Sequence, residues 1–273
     1  MRTELPALRL VFVLGCVLLS GCALGRAQPA SEVPLYGAPG GVAVVALHGS
    51  GSGGERLLDQ LSLKELADEL DICLAAPDAR RNASFLGTGW LESDEERLLE
   101  LVDRLGGEAR LVGYSSGGFQ ACYLALKYPE RFPRVCVVAA GILERHLELM
   151  PQPERLPSFW FIAGEDDSVV PLDGGKTPIG RSLTFEGFLG PRAAAQAIGG
   201  RTEPHSSVEL DLVRETEGWK PFGDPFAGSE TLDCDFGKAR LSIVSSRGHT
   251  DDLGPHACES ILRWLVEKER VHE

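Results

Sequence analysis

Short, almost uninterrupted apolar runs alternate with helix-like segments along this chain, and this alternation strongly constrains the fold. The apolar runs are VAVVALHG, DICLAAPD, ARLVGYS, PRVCVVAAG, PSFWFIAGEDD and ARLSIVSSRGH, with helical patterns at about residues 57–70, 92–105, 117–127 and 256–268. Continuous Val, Ile and Ala runs are typical of parallel strands that crossover helices bury on both faces. The sequence therefore predicts an α/β fold with a mostly parallel, doubly wound sheet and helices on both of its faces.

The 273 residues suit one large α/β domain. We predict this single domain at residues 35–273, after a small, polar, flexible tether at residues 22–34. Residues 172–238 break the alternation, because they are rich in Gly and Pro and contain only a helix-like GPRAAAQAIGG and a possible strand in SSVELDLVRE. Long irregular connections are often functional, so this interval is a candidate wall of a substrate pocket; a mobile surface excursion is the alternative.

The first residues have the pattern of an export signal. Arg2 and Arg9 precede an apolar run at residues 10–19, which is too short for a membrane-spanning helix. The tetrapeptide LSGC ends at Cys22 and resembles the lipobox of bacterial lipoproteins, in which the cysteine is acylated and the chain is cut just before it. This implies a signal peptide at residues 1–21 and an exported chain, lipid-anchored through Cys22 to the cell membrane or outer membrane. The alternatives are a cut near Ala27 or Ala30 and an uncleaved anchor.

Charge and motif content exclude several kinds of partner. The chain has 27 basic and 40 acidic side chains and a formal net charge of −13, so its surface repels nucleic acid and no such partner is expected. No CxxC or His/Cys cluster has the spacing of a metal site. The glycine-rich residues 48–54 lack both the Walker lysine and G-x-G-x-x-G. We therefore expect no metal and no cofactor.

The stretch LVGYSSGGFQ ends an apolar run at two adjacent serines. The five residues GYSSG, centred on Ser115, satisfy G-x-S-x-G between a predicted strand and a predicted helix, which is the context of a nucleophile elbow. A motif centred on Ser116 would need glycine at position 114, where this chain has Tyr114. Ser115 is therefore the predicted nucleophile, and Ser116 contributes its backbone N–H.

A serine hydroxyl needs a base, and the base needs a carboxylate that holds it in the right tautomer. In this kind of fold the acid and the histidine follow the serine in that order, each after a strand. FIAGEDDSVVP resembles the G-x-x-D-x-x-V-P run of many α/β-hydrolases and places the acid at Asp167, with Asp166 as the alternative. RGHTDD places the base at His249, with His256 at the start of the last helix as its rival.

Developing negative charge on a substrate carbonyl needs preorganised hydrogen-bond donors. LHGSGSGG, residues 47–54, follows the first buried strand and resembles the H-G-x oxyanion loop of esterases and lipases. The residue after His-Gly normally donates its backbone N–H, so the predicted donors are Ser50 and Ser116.

With these motifs in place, the chain resembles the polyhydroxybutyrate depolymerase and feruloyl-esterase-like family of exported α/β-hydrolases, which includes acetylxylan esterases. The matching segments are VVALHGSGSG, ELADELDICLAAPDAR, LVGYSSGGFQACYLALKYPERFPRVCVVAAG, FWFIAGEDDSVVPLDGG and RGHTDD. The resemblance implies Ser115, Asp167 and His249 as a triad, with Ser50 and Ser116 as oxyanion donors. Family members commonly carry His-x-Trp-Pro-Gly at the histidine, where this chain has HTDDL and lacks the aromatic floor.

The predicted function is hydrolysis of carboxylic esters through an acyl-enzyme, on a soluble or cell-envelope ester rather than a polyhydroxyalkanoate. A serine peptidase or a thioesterase is the enzymatic alternative. A non-catalytic, envelope-binding lipoprotein on the same scaffold is the other alternative. Trp90, Trp219 and Phe222 are candidates either for lining the pocket or for packing.

Overall fold

The computed structural model describes residues 28–61, 63–80, 89–178, 185–200, 206–208, 231–249 and 253–267. Its strands are β1 (Leu35–Gly37), β2 (Val42–Leu47), β3 (Ile72–Ala75), β4 (Arg110–Tyr114), β5 (Arg134–Val138), β6 (Ile142–Leu143), β7 (Ser158–Gly164), β8 (Gly175–Pro178), β9 (Phe185–Leu189), β10 (Ser206–Val208), β11 (Thr231–Asp235) and β12 (Ala239–Val244). Its α-helices are α1 (Gly54–Gln60), α2 (Leu63–Glu69), α3 (Glu95–Arg104), α4 (Ser116–Lys127), α5 (Pro191–Gly199) and α6 (Pro255–Val266).

The described main sheet has the strand order β1-β3-β2-β4-β5-β7-β12-β11-β10. Neighbours from β3 to β12 are parallel, and the pairs at the two edges are antiparallel. Residues of α3, α4 and α5 pack with one face of the sheet, and residues of α1, α2 and α6 pack with the other. Alternate residues of β2 divide between the two cores, with Val45 and Leu47 in the first and Val44 and Ala46 in the second. The predicted doubly wound α/β fold is thus confirmed.

The helix predicted at about residues 57–70 is two helices, α1 and α2. Leu61 and Leu63 lie at their junction and are both buried, at 2% and 1% exposure. In one straight helix these two side chains would point about 200° apart and could not both face the sheet. The break lets both leucines enter the core.

Residues 172–238 contain more regular structure than their sequence predicts. Their described parts contain β8, β9, α5, β10 and β11. Strands β8 and β9 join β6 in a small antiparallel sheet, and β10 and β11 extend the main sheet beyond β12. Helix α5 lies within the helix-like GPRAAAQAIGG, and β10 is at the start of the possible strand SSVELDLVRE. Periodicity missed β8, β9 and β11 because they are short, and β8 and β9 contain glycine and lie in a small separate sheet rather than forming continuous apolar runs. The small sheet packs beside α4, since Phe188 meets Phe119 edge-on with ring centroids 5.5 Å apart.

The predicted tether at residues 22–34 is shorter at its C-terminal end. Ala30 and Val33 are buried, at 8% and 1% exposure. Arg104 on α3 donates hydrogen bonds to their carbonyl oxygens, at 2.9 Å for Ala30 and 2.8 Å for Val33. These contacts attach the end of the predicted tether to the domain. Cys22 and the predicted signal peptide lie outside the described residues.

Within the described ranges, none of the helices combines the length and the apolar character needed to cross a membrane.

Candidate active site

Ser115 occupies a sharp turn between β4 and α4. Its backbone is in a strained conformation, with φ 51° and ψ −118°, which is uncommon for a residue with a side chain. Glycines make the turn possible, because a Cβ on Gly113 would lie 2.4 Å from the Gly117 carbonyl oxygen, and one on Gly117 would lie 2.0 Å from the Leu47 carbonyl oxygen. The turn therefore has the close strand-helix approach of a nucleophile elbow.

A chain of hydrogen bonds links Ser115 to His249 and Asp167. His249 Nδ1 lies 2.8 Å from Asp167 Oδ2, and His249 Nε2 lies 2.9 Å from Ser115 Oγ. A carboxylate only accepts, so Nδ1 carries the proton and Nε2 is free to accept the serine hydroxyl proton. Asp167 is buried, whereas its neighbour Asp166 and the rival histidine, His256, are exposed.

The Asp167 carboxylate has a complete set of donors. Its Oδ1 accepts the backbone N–H groups of Val169 and Val170, both at 2.8 Å. Burial, the largest influence, raises the pKa of Asp167, but the hydrogen bonds from His249, Val170 and Val169 outweigh it and hold the pKa below its ordinary value. Asp167 is therefore a carboxylate at neutral pH, in position to orient the imidazole.

Backbone contacts join the loop that carries Asp167 to the loop that carries His249. The backbone N–H of Asp166 donates to the Arg247 carbonyl oxygen at 2.8 Å, and the backbone N–H of Glu165 donates to the Val244 carbonyl oxygen at 2.9 Å. The two loops cross directly over Gly164, where a Cβ would lie 2.3 Å from the Arg247 oxygen and 2.5 Å from the Gly248 oxygen. The absence of a side chain at Gly164 thus lets Asp167 and His249 approach each other.

Gly164→Ala is expected to lower kcat by ~100-fold, because the added methyl group displaces the loop before His249 and misaligns the imidazole. Steady-state kinetics on an activated ester, with the thermal midpoint measured in parallel, checks this. Gly175→Ala is the matched control, since its added Cβ would meet only ordinary contacts at 3.5 Å from the Phe188 ring. Equal activity of the two variants would contradict the inference.

A buried histidine supports the predicted oxyanion loop. His48 Nε2 accepts the N–H of Ala79 at 2.9 Å, so its Nδ1 carries the proton and donates to the Gly49 carbonyl oxygen at 2.7 Å. Burial lowers the pKa of His48, which keeps the ring neutral in this tautomer. Trp90 is also buried, and its Nε1–H donates to the His48 carbonyl oxygen at 2.8 Å. Trp90 therefore packs against the loop.

The loop that His48 supports lies beside Ser115. A Cβ on Gly49 would lie 3.5 Å from the Cβ of Ser115, and Ser50 is the next residue. Ser116 begins α4, so its N–H is one of the unpaired donors of a helix N-terminus. The structure therefore brings Ser115, His249 and Asp167 together and sets the loop carrying Ser50 beside them. Trp219 and Phe222 lie outside the described residues.

Sequence reasoning did not find the supporting roles of His48, Trp90 and Gly164. His48 begins the glycine-rich loop, but Trp90 is 42 residues away along the chain. Their contact therefore gives no signal in the sequence and arises only when the chain folds. Gly164 did have a signal, because it is the first residue of the G-x-x-D run and ends a strand.

Comparison with known proteins agrees with this architecture. Residues 91–163 match the family model of the alpha/beta hydrolase fold. The candidate esterase NocK of Nocardia uniformis subsp. tsuyamanensis is 28% identical over 167 residues, covering 51% of this chain and 46% of that protein. The chain thus matches about half the length of this curated relative.

Solved structures agree on the fold. The acetyl xylan esterase from Aspergillus awamori superposes with a TM-score of 0.53 at 12% identity, over 89% of this chain and 97% of that one. An S-formylglutathione hydrolase from Agrobacterium tumefaciens superposes with a TM-score of 0.50 at 16% identity, over 85% of this chain and 84% of that one. The chain therefore has the α/β-hydrolase fold, and its similarity is to proteins that include esterases.

Proposed function

We propose that this protein is a serine hydrolase that cleaves carboxylic esters through an acyl-enzyme intermediate. The observation that carries the proposal is the continuous hydrogen-bond chain from Asp167 through His249 to Ser115, with the serine on a strained turn at the N-terminus of α4. The alternative is a binding protein on the same scaffold. Such a protein would not need these hydrogen bonds, and labelling with a serine-directed probe distinguishes it from an enzyme.

In the proposed reaction, His249 Nε2 takes the Ser115 proton while Oγ attacks the ester carbonyl carbon. The backbone N–H groups of Ser50 and Ser116 stabilise the oxyanion of the tetrahedral intermediate. Asp167 stabilises the imidazolium, which then gives its proton to the leaving alcohol. Water deacylates the enzyme by the same route, so the carboxylic acid leaves and Ser115 regains its proton.

The similarity to NocK and to the acetyl xylan esterase favours an ester over an amide as substrate. An alcohol is also an easier leaving group than an amine. We propose a soluble or cell-envelope ester, because a lipid-tethered enzyme is poorly placed to attack an insoluble polyester. A serine peptidase or thioesterase is the second candidate, on the same triad.

Labelling with a fluorophosphonate probe, combined with a substrate panel, tests this function. The folded wild-type protein is expected to be labelled and to cleave p-nitrophenyl esters of increasing chain length and methyl ferulate faster than an aryl amide. Absence of labelling in the folded protein would favour the binding alternative, and faster turnover of the amide would favour a peptidase.

The proposed location, on the bacterial cell membrane or outer membrane, depends on acylation of Cys22. Cys22→Ser is expected to move most of the protein from the membrane fraction to the soluble exported fraction, because the acyl chains that hold it are lost. Cell fractionation with Cys16→Ser as the matched control measures this. Continued sedimentation of Cys22→Ser with membranes would exclude the lipid anchor.

A further inference from the structure

We propose that Tyr114 is a positioning residue for this reaction. Its ring holds the His249 imidazole and the Gly49 backbone in fixed positions relative to Ser115. This inference rests on the proposed function and names a further residue of the same site.

Two contacts of the Tyr114 ring carry the proposal. Its centroid lies 5.4 Å from that of the His249 ring, with 38° between the ring planes. A Cβ added to Gly49 would lie only 2.7 Å from Tyr114 Cδ1 and 2.8 Å from Cε1. The ring therefore lies directly against both the base and the backbone of the oxyanion loop.

The contact with His249 restrains a motion that the hydrogen bond to Asp167 leaves open. That bond fixes one end of the imidazole, at Nδ1, but the ring can still tilt about the line between the two bonded atoms. His249 is also partly exposed and follows a loop in which Ser246 has a φ of 54°. An aromatic ring beside the imidazole limits this tilt and keeps Nε2 directed at Ser115.

The contact with Gly49 adds a second restraint on the loop. The buried His48 holds the Gly49 carbonyl oxygen at 2.7 Å. The Tyr114 ring lies where a Gly49 side chain would point, and Ser50 is the next residue. A loop held by these two contacts presents the Ser50 N–H in one orientation, as preorganised stabilisation of an oxyanion requires. Glycine at position 49 is needed for this arrangement, because a methyl group there would strike the tyrosine ring.

Tyr114 also packs against the apolar core on the side of α1, α2 and α6, so a purely structural role is the competing explanation. A structural role predicts that substitutions lower stability and leave the folded enzyme's kcat unchanged. A positioning role predicts a fall in kcat with little change in KM. It further predicts that the effects of changes at Tyr114 and Gly49 depend on each other, because the two residues are in contact.

A double-mutant cycle separates these explanations. Four proteins are compared: wild type, Gly49→Ala, Tyr114→Ala and the double variant. Kinetics on p-nitrophenyl acetate, the rate of fluorophosphonate labelling and the thermal midpoint are measured for each. Gly49→Ala is expected to lose ~100-fold in kcat and Tyr114→Ala ~30-fold, because misplacement of about 1 Å costs this order of rate. The double variant is expected to lose no more kcat than Tyr114→Ala alone, because the methyl group added at position 49 then has room once the tyrosine ring is gone.

Two further variants complete the test. Tyr114→Phe keeps the ring and is expected to retain more kcat than Tyr114→Ala. Tyr36→Ala is the matched control, because Tyr36 lies on the edge strand β1 and is hydrogen-bonded to Glu55; its kcat is expected to equal that of wild type.

Multiplicative losses in the double variant, or an unchanged kcat in folded Tyr114→Ala, would overturn the proposal for Tyr114. If the wild type is labelled and active, either of these results leaves the proposed function intact. A folded wild type without labelling or esterase activity would overturn the proposed function itself, so the two failures are distinguishable.

Discussion

Ser115→Ala is expected to lower kcat for ester hydrolysis by at least ~1000-fold and to abolish fluorophosphonate labelling, because no other group then attacks the carbonyl carbon. The remaining rate reflects only binding and the oxyanion donors. The thermal midpoint is expected to stay near that of wild type or to rise, since the substitution leaves the turn intact and removes only a hydroxyl. Active-site labelling and initial-rate kinetics on the purified protein measure both effects.

Ser116→Ala is the matched control for this experiment. It removes a neighbouring hydroxyl whose oxygen is buried and has no hydrogen-bond partner among the described residues, and it keeps the backbone N–H. Labelling of Ser116→Ala is therefore expected to persist, with a loss in kcat of no more than ~10-fold if the N–H alone acts. Loss of labelling in Ser116→Ala together with its retention in Ser115→Ala would reverse the assignment of the nucleophile.

Asp167→Asn is expected to lower kcat by ~10,000-fold near neutral pH. The amide N–H at this position can donate a hydrogen bond to Nδ1, which stabilises the tautomer in which Nε2 is protonated and cannot accept from Ser115. The fold should persist, because the amide oxygen still accepts the N–H groups of Val169 and Val170. The effect is measured as kcat on an activated ester.

Asp166→Asn provides a sharp control, because the chain offers two adjacent aspartates in different environments. Asp166 is exposed and contributes its backbone N–H to the contact with Arg247, which the substitution retains. Its kcat is expected to remain within ~3-fold of wild type, as for an ordinary surface change. Comparable losses in the two variants would contradict the assignment of Asp167 as the orienting acid.

Much of the fold was predictable from the sequence because buried parallel strands produce an uninterrupted apolar pattern. The runs at β2, β3, β4, β5, β7 and β12 were identified in this way. The antiparallel strands β8, β9 and β11 were not, because strands near an edge or in a small sheet bury less apolar surface and need no such run. The break between α1 and α2 was also missed, since it depends on where the sheet lies beneath Leu61 and Leu63.

The candidate residues Ser115, Asp167 and His249 follow from local sequence, because each stands just after a strand in a short motif with its own chain geometry. Chain order and the carboxyl ends of parallel strands then predict that the three meet at one edge of the sheet. The sequence also favoured Asp167 over Asp166 by counting from Gly164. The alternating apolar runs therefore determined the fold class, and local motifs determined the candidate triad.

Only the tertiary structure decided what surrounds that triad. The two loops that meet at Gly164, the bond from Ala79 to His48 and the contacts of the Tyr114 ring with Gly49 and His249 join residues that are distant along the chain. No local pattern encodes such contacts, because they arise from the register of neighbouring strands and the packing of side chains between them. The sequence alone thus determined the residues proposed for the chemistry, and folding determined how they are held in position.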